Sequence, residues 1–472
     1  MPVIRRLPVL ALLAISAAIS TASGQTAPGT TAPADLGAGI DAAVAEVIAK
    51  TGVPSVSLAV VREGTIAYVR AYGNARLDPR LPATPEMRYP IGSITKQFTA
   101  TAVLLLAEEG RLSLDDRLVR WFPDLTRARD VTLRQLLSMT SGYQDFWPQD
   151  YVMPMMLEPT APLAIVERWA KKPLDFEPGT KWQYSNTNYV ILGLVVEKVS
   201  GTSLFDLLNA RVFTPLGIGT VTETDRSAFG PADPEGYLRF GLGPLRPAPE
   251  VGRGWIFGAG GLAMTAGDLA RWDISMINQA VMQPDSYRQM ETEVRTARGV
   301  GTGYGLGVSV GMADDHRYLS HGGGVSGFTA RNTVYPDDRA AVVVLTNRDP
   351  TNAAGQIATR VGRLILEIPD AGTAPSVKLA KGVFEGLQRG RIDRSLFTAN
   401  ANAYFTDRAL ADLAASLAPL GAPKEFTQRA QSLRGGMTQR VYRVGLPART
   451  VYVTTLTMPD AKLEQFMVAA ED

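Results

Sequence analysis

A serine and a lysine stand three residues apart in the stretch YPIGSITKQFTATAVLLLAEEG, which covers residues 89–110. At this spacing on a helix, Ser93 and Lys96 share one face. Ser93 would lie in the first turn, where free backbone N–H groups and the positive end of the helix dipole favour an oxyanion. Serine becomes a nucleophile when a base takes its proton, and lysine is such a base only if its pKa falls well below about 10.4. An ordinary helix cap and a solvated lysine would give the same pattern.

Two further segments carry groups that suit acyl transfer. Tyr184 and Asn186 form a Y-x-N pattern in EPGTKWQYSNTNYVILG, where the tyrosine can exchange a proton and the asparagine can bond a substrate amide. The segment LSHGGGVSGFTARNTVYP places His321 before glycines 322–324, at the start of a β-rich run. The glycines predict an edge strand that another backbone or a substrate can approach closely. Taken singly, each pattern also fits a buried tyrosine or a flexible turn.

In this order and spacing, the three segments resemble the penicillin-recognising serine hydrolases, and most of all the branch related to class C β-lactamases. That branch includes D-alanyl-D-alanine carboxypeptidases, D-aminopeptidases and β-lactamase-like esterases. The resemblance extends over residues 36–368 and includes the stretch GAGGLAMTAGDLARW. It implies an α/β fold of the β-lactamase/transpeptidase type, in which helices cover an antiparallel sheet and form an inserted helical subdomain.

The resemblance also implies roles for the motif residues. Ser93 matches the acylated nucleophile, Lys96 its proton acceptor, and Tyr184 the residue that shares proton transfer with the lysine and serves the leaving group. Asn186 matches the residue that binds the substrate amide. The implied reaction passes through a covalent acyl-enzyme that water then hydrolyses, with no metal or other cofactor. The expected substrates are D-alanyl peptides or β-lactam-like compounds, and the alternative is an ester.

The chain departs from the β-lactamase pattern at two places. His321 and Gly323 stand at the ends of the motif that is Lys-Thr-Gly in β-lactamases, and Gly324 would supply an oxyanion N–H together with that of Ser93. A histidine with a pKa near ~6.5 is mostly neutral at pH 7. We therefore expect His321 to pair with a substrate carboxylate only when protonated, so that KM for a D-alanyl-D-alanine peptide rises through about pH 6–7. Met139 stands where relatives often carry histidine, and the sequence assigns it no chemical consequence.

Two other classes of protein are compatible with parts of the sequence. Residues 307–311 are a literal G-x-S-x-G, which in an α/β-hydrolase places the serine on a turn between a strand and a helix. Ser309 instead alternates like a strand residue, no apolar helix follows, and both histidines of the chain, His316 and His321, lie within a few residues of it. The second class is a binding protein that kept the fold and lost catalysis.

Composition and charge narrow the classes of partner. The chain has 472 residues, enough for two domains, and its 48 Lys and Arg nearly balance 46 Asp and Glu without a long basic run. Nucleic acid is therefore not an expected partner, and a small-molecule or peptide substrate is. The absence of cysteine excludes disulfides and thiolate sites, and with two histidines a zinc site is poorly supplied.

The N-terminus predicts export from the cytoplasm. Arg5 and Arg6 precede an apolar run at residues 7–18 that is too short to span a bilayer, and small residues follow it. This arrangement is typical of a cleaved signal peptide, which we place at residues 1–24. A periplasmic or secreted protein without a stable membrane anchor is expected.

The rest of the chain divides into two predicted domains. Residues 25–35 and 369–376 indicate linkers, and the hydrolase domain between them has strands at both ends and a largely helical middle. Residues 377–472 indicate a small α+β domain of one or two helices and four strands, similar to cystatin-like or nuclear-transport-factor-like rolls, which bind small ligands or dimerise. Within the hydrolase domain, strands are predicted in VPSVSLAVVREGTIAYVRAYGNA, GYGLGVSVG, GGVSGFTARNTVYP and RAAVVVLTN, and helices near residues 36–50 and 352–367.

Overall fold

The computed structural model of the protein describes residues 25–26, 34–227, 229–314, 316–366 and 375–470. The predicted signal peptide lies outside the described residues. The chain divides into two compact units on either side of Leu366.

An eight-stranded antiparallel sheet is the centre of the first unit. The strands of this unit are β1 (Gln25–Thr26), β2 (Ser55–Arg62), β3 (Thr65–Leu77), β4 (Arg80–Pro82), β5 (Tyr89–Pro90), β6 (Thr222–Glu223), β7 (Tyr237–Leu238), β8 (Arg246–Pro247), β9 (Leu262–Met264), β10 (Ser309–Ala313), β11 (His316–Val325), β12 (Phe328–Tyr335) and β13 (Ala340–Thr346). The sheet follows the order β1-β3-β2-β13-β12-β11-β10, and β4 pairs with β3. Strands from both ends of the domain therefore meet in one sheet, and β1 lies within the stretch predicted as a linker.

Helices cover both faces of this sheet. The α-helices described in the first unit are α1 (Ala34–Thr51), α2 (Thr95–Glu108), α3 (Leu133–Leu137), α4 (Pro162–Trp169), α5 (Asn186–Ser200), α6 (Leu204–Leu208), α7 (Phe257–Gly260), α8 (Ala266–Asn278), α9 (Pro284–Glu291) and α10 (Ala353–Ile365). Helices α1 and α10 pack on one face, and α8 packs on the other. In the described part of the chain, none of the helices combines the length and the apolar character that a bilayer span requires.

Apolar side chains of the central strands alternate between these two layers. On β13, Val342 and Val344 pack with α1 and α10, whereas Val343 and Leu345 belong to the larger core on the opposite face. All four are fully buried. A strand covered on both faces has a continuous apolar sequence, which explains why RAAVVVLTN could be recognised as a strand.

Helix α2 forms the apolar centre of the helical subdomain. Every residue from Thr95 to Leu106 is buried, so the helix has no polar stripe along its length. Its polar side chains have partners inside the protein, since Thr99 Oγ1 donates to the Gly258 carbonyl over 2.7 Å. The enclosure fixes the N-terminal turn of α2, where the S-x-x-K pair lies.

Strand β11 carries the glycine motif, and it is not an edge strand along its whole length. It lies between β10 and β12, and its pairing with β10 ends at Ser320. Beyond that residue, β11 faces the turn that precedes α2. A Cβ on Gly323 would lie 2.0 Å from the Ile91 carbonyl oxygen, and a Cβ on Gly92 would lie 2.8 Å from the Gly324 nitrogen. The glycines therefore allow this close approach of two backbones.

The second unit is a small α+β domain with its own apolar core. Its elements are α11 (Pro375–Gln388), α12 (Ala399–Tyr404), α13 (Asp407–Leu417), β14 (Glu425–Arg434), β15 (Met437–Gly445), β16 (Thr450–Thr457) and β17 (Leu463–Ala470). The four strands form an antiparallel meander, as the sequence predicted, but the described residues contain three α-helices rather than one or two. Phe384, Phe426 and Tyr442 lie in the core between the helices and the sheet. Dimerisation through this domain stays a prediction.

The sheet core should dominate the stability of the first unit. Leu58 is fully buried between β2 and the α1–α10 layer, so Leu58→Ala should lower the free energy of unfolding by about 2–5 kcal/mol. Leu242 is fully exposed, and Leu242→Ala should change the free energy of unfolding by less than about 0.5 kcal/mol. Urea unfolding followed by tryptophan fluorescence measures both, because all six tryptophans lie in the first unit. Equal midpoints for the two variants would contradict this assignment of the core.

Candidate active site

Ser93 lies in a 3₁₀ turn, Gly92–Ile94, that leads directly into α2. The turn begins at a positive φ of 51° at Gly92, a conformation that suits glycine. Ser93 is half-buried and lines a cavity of about 370 Å³. The Nζ atom of Lys96 lies 3.0 Å from the Oγ atom of Ser93. The structure therefore brings together the serine and lysine that the sequence singled out.

The amine of Lys96 has three partners. Besides Ser93, Nζ donates to the side-chain oxygen of Asn186 over 2.8 Å and to the Ala259 carbonyl over 2.7 Å. Both of these oxygens can only accept. A neutral amine would use its two N–H groups on them and keep its lone pair for the hydroxyl hydrogen of Ser93. This geometry is the one that a general base requires.

Burial adjusts the proton affinity of this amine. Lys96 is completely buried, and the loss of solvation lowers its pKa to about 7. The carboxylates of Asp145 and Asp150 act in the opposite direction because their negative charge favours the charged amine. A substantial fraction of Lys96 is therefore neutral near pH 7.

Tyr184 lies on the other side of the same serine. Its hydroxyl hydrogen-bonds Ser93, and its ring centroid is 4.9 Å from the Lys96 amine. Burial raises the pKa of Tyr184 well above its usual range, so the phenol stays protonated. The geometry therefore allows Tyr184 to pass a proton to a leaving group and Lys96 to act as the initial base, and both roles stay predictions.

The loop after α3 holds the Tyr184–Asn186 segment in place. The backbone carbonyl of Met139 accepts from Gln183 N over 3.0 Å, and its sulfur accepts from Ser185 N over 3.4 Å. The carboxylate of Asp145 accepts from the backbone N–H of Asn186 over 3.0 Å and from its side-chain Nδ2 over 3.2 Å. Met139, for which the sequence indicated no role, is thus a buried support of this segment.

His321 is a neutral, fully engaged side chain. Its Nδ1 atom is 2.6 Å from the Gly322 carbonyl, which can only accept, so the ring proton lies on Nδ1. Its Nε2 atom accepts from the Tyr304 hydroxyl over 2.9 Å. Burial and the nearby Lys96 lower the pKa of His321 to about 3. The expectation that His321 titrates near pH 6–7 is therefore wrong, whereas its contact with a substrate carboxylate stays a prediction.

The remaining motif residues lie around the same cavity. Gly324 and Asn186 line it together with Ser93, and Gly323 lies behind it against the turn that carries the serine. One hydrogen of Asn186 Nδ2 is engaged by Asp145, and the other is left for a substrate group. The oxyanion role of the Ser93 and Gly324 N–H groups stays a prediction.

Two carboxylates that the sequence did not indicate also line the cavity: Asp150 and Asp349. Burial and the charge of Asp150 raise the pKa of Asp349 to about 7, and burial, before other causes, raises the pKa of Asp150. Among the described residues that line the cavity there is no lysine or arginine. These aspartates lie on loops far apart in the chain, so no motif spacing connects them.

Ser309, the serine of the G-x-S-x-G pattern, is not placed for catalysis. It begins β10, which leads into β11 rather than into a helix. The Nδ1 atom of His316 lies 2.8 Å from Asp338 Oδ1, and both ring nitrogens of His321 have other partners. The α/β-hydrolase alternative is therefore wrong, and only the last part of the strand predicted at residues 303–311 is a strand.

Residues 40–367 match the family described as Beta-lactamase. The chain belongs to the beta-lactamase family. It is 27% identical over 321 residues to penicillin-binding protein 4* of Bacillus subtilis. The matched region covers 64% of this chain and 70% of the length of that protein. Membership of the beta-lactamase family, together with this relative, identifies the protein as a serine hydrolase.

A further relative of this beta-lactamase-family protein is named a D-aminopeptidase, and a solved structure of similar fold is named a D-amino acid amidase. It is 27% identical over 337 residues to a D-aminopeptidase of Brucella anthropi, covering 69% of this chain and 61% of that protein's length. Its fold matches that of D-amino acid amidase from Ochrobactrum anthropi solved with D-phenylalanine. The TM-score is 0.64 at 24% identity, over 71% of this chain and all of that one. The likeness confirms the predicted fold class.

Ser93 should be the residue that becomes acylated. A fluorophosphonate should label Ser93, and Ser93→Ala should lose hydrolysis by about a thousandfold or more because it removes the aliphatic hydroxyl that the Lys96 amine contacts. The matched variant Ser309→Ala should keep most of the activity. Mass spectrometry of the labelled peptide and steady-state rates measure both. A label on Ser309, with Ser93 untouched, would overturn the assignment.

Lys96 and Tyr184 should act as one proton-transfer unit, since both contact Ser93. Lys96→Ala and Tyr184→Phe should each lower the acylation rate strongly, and the double variant should be little worse than the slower single variant. Pre-steady-state acylation rates give the comparison. Losses that multiply independently would show that the two side chains act separately.

Proposed function

We propose that this hydrolase cleaves the amide bond that follows an N-terminal D-amino acid with a free α-amine. The proposal combines a serine nucleophile, a D-aminopeptidase among its relatives and a cavity whose charged groups are acidic. The alternative substrates, a carboxypeptide, a β-lactam and an ester, each make a different demand on the same cavity.

The acidic lining is the observation that carries the proposal. Asp150 and Asp349 lie on the wall of the cavity that holds Ser93, and His321 contributes no positive charge. A substrate ammonium would pair with the carboxylates and favour the ionised form of Asp349. A free carboxylate beside the scissile bond, as in a carboxypeptide or a β-lactam, would instead find no positive side chain on the cavity wall and would be repelled by the ionised fraction of the two aspartates.

The site residues supply a complete acyl-transfer cycle for such a substrate. Lys96 takes the proton of Ser93 as Oγ attacks the carbonyl carbon, and backbone N–H groups of Ser93 and Gly324 stabilise the oxyanion. The C–N bond breaks as Tyr184, coupled to Lys96, delivers a proton to the leaving amine. Water then attacks the Ser93 ester, and its proton returns through the same groups, which releases the D-amino acid and restores the enzyme.

A panel of substrates tests the proposal. D-Alanine p-nitroanilide should react with a kcat/KM at least about tenfold above that of its N-acetyl derivative, because acetylation removes the charge that pairs with the carboxylates. The L-enantiomer, a D-alanyl-D-alanine carboxypeptide and a chromogenic cephalosporin should be poorer still. Equal rates for the free and acetylated anilides would refute amine recognition.

Asp349→Asn should specifically weaken the preference for a free amine. We expect KM for D-alanine p-nitroanilide to rise about tenfold, because one charge-assisted contact is lost, while KM for the uncharged p-nitrophenyl acetate stays the same. Asp124→Asn, at an exposed position outside the cavity, is the matched control and should change neither. If both substrates respond alike to Asp349→Asn, the residue supports the cavity shape rather than the amine.

Two results would favour the other classes. A p-nitrophenyl ester hydrolysed much faster than every amide would make the protein a β-lactamase-like esterase. Stoichiometric labelling of Ser93 without turnover of any substrate would favour a non-catalytic binding protein on the same fold.

We further propose that the protein acts in the periplasm or outside the cell. The support is the sequence of residues 1–24, with its two arginines and short apolar run. N-terminal sequencing of protein recovered from a periplasmic fraction should begin at Gln25. Recovery of the intact N-terminus from the cytoplasm would contradict export.

A further inference from the structure

The carboxylate of Asp145 contacts both the backbone N–H and the side-chain amide of Asn186. Its Oδ1 atom accepts from the backbone N–H groups of Asn186, over 3.0 Å, and Trp147, over 3.1 Å. Its Oδ2 atom accepts from Asn186 Nδ2 over 3.2 Å. Asp145 lies in a loop outside the three catalytic motifs, and these motifs therefore assign it no role in proton transfer.

This contact decides which way the Asn186 amide points. A carboxylate can only accept, so the NH₂ end of the amide must face Asp145. The oxygen end then faces the Lys96 amine, 2.8 Å away. If the amide were reversed, its NH₂ group would face the lysine N–H groups, and Lys96 would lose one of its two pure acceptors.

We propose that Asp145 is a positioning residue that fixes the Asn186 amide with its oxygen towards Lys96, holds the Lys96 amine against Ser93, and so sets the pH range in which Ser93 is acylated. The proposal rests on the part of the proposed function that makes Ser93 the nucleophile. It does not depend on which substrate the cavity accepts.

The surroundings of Lys96 leave few other groups that could set this pH range. Those that face it from the neighbouring elements are Asp145, Asp150, Tyr184, Tyr189 and His321. The two tyrosines and the histidine are neutral, because burial raises the pKa of each phenol and lowers that of the imidazole. The charge that acts on Lys96 therefore comes from the two aspartates, and Asp145 alone is joined to it by a hydrogen-bonded side chain.

The test replaces the carboxylate by its neutral isostere. In Asp145→Asn the new NH₂ group would face that of Asn186, so the Asn186 amide should reverse and its oxygen should leave Lys96. The negative charge of Asp145 and the Asn186 oxygen, which both favour the charged form of Lys96, are then lost. The acid limb of the acylation rate, which is the rise of the rate with pH as Lys96 loses its proton, should therefore move to lower pH by about one unit. The plateau rate should fall about tenfold, since Lys96 is held by one acceptor fewer.

A charge swap gives the opposite shift and separates positioning from mere folding. In the double variant Asp145→Asn and Asn186→Asp, the amide at 145 donates to the carboxylate at 186, whose other oxygen contacts Lys96. The acceptor is restored and the negative charge moves next to the amine. The acid limb should therefore move above that of the wild type, and the plateau rate should recover part of its loss.

A neighbouring contact supplies the matched control. Thr187 Oγ1 donates to the Gln144 carbonyl over 2.7 Å, in the loop that carries Asp145. Thr187→Val therefore removes a hydrogen bond to this loop without changing any charge. This variant should leave the acid limb in place even if its rate falls. The measurement is the rate of Ser93 phosphonylation by an uncharged fluorophosphonate from pH 5 to 9, on the full chain.

The outcomes distinguish this proposal from the function on which it rests. Opposite shifts for the single and double variants, with Thr187→Val unshifted, support it. Limbs that coincide in all variants, or a shift of equal size in Thr187→Val, overturn the role of Asp145 while leaving Ser93 as the nucleophile. Absence of any label on Ser93 in the wild type would overturn the proposed function itself, and the role of Asp145 with it.

Discussion

The active site depends on a lysine amine that is completely buried beside a serine hydroxyl. Water would keep the Lys96 amine protonated at neutral pH, whereas the enclosed site lowers its pKa to about 7. The unfolded chain would bind that proton up to a pH near 10.5. Between these two pH values the unfolded state binds more protons than the folded state. Burial of Lys96 therefore lowers the free energy of unfolding most below about pH 7, and this destabilisation is progressively lost as the pH rises from 7 to 10.5. The fold carries this cost in exchange for a base that can activate Ser93.

The surrounding elements can be understood as the means of enclosing that amine. Helix α2 is buried along nearly its whole length, and α7 approaches it closely enough for the Ala259 carbonyl to contact Nζ. A Cβ on Gly258 would lie 2.8 Å from the Tyr189 carbonyl oxygen, so α7 needs glycine at this point. The glycines of β11 act similarly on the other side of Ser93. Close backbone approach replaces solvent around the amine with fixed carbonyl oxygens.

The sequence predicts those parts of the site that lie close together along the chain. Ser93 and Lys96 share a helical turn, and the Y-x-N and H-G-G patterns are short, so local spacing together with a family resemblance was enough to find them. The same is true of the strands, whose apolar runs follow from burial on both faces. The three helices of the second unit were undercounted because α12, Ala399–Tyr404, is short and carries little apolar pattern.

What the sequence did not predict is the environment that loops from distant parts of the chain create. Asp145 reaches Asn186, and Asp349 reaches the cavity, only through the tertiary fold, and no spacing joins either residue to the motifs. The pH range in which His321 titrates was predicted wrongly for the same reason, since the Tyr304 hydroxyl and the burial that lower its pKa are not visible in its local sequence. Charge and solvation at a site are collective properties, whereas motifs identify only its reacting groups.

The central claim is that Lys96 loses its proton near pH 7, far below the usual range of a lysine, and its titration tests that claim most directly. Protein labelled with ¹³C and ¹⁵N in its lysines would be followed by NMR from pH 5 to 11, with the Lys96 signal assigned by its loss in Lys96→Arg. The structure predicts a midpoint near pH 7 for this side chain, far below the other lysines, which titrate near ~10.4. A Lys96 signal that titrates together with the others above pH 10 would contradict the account.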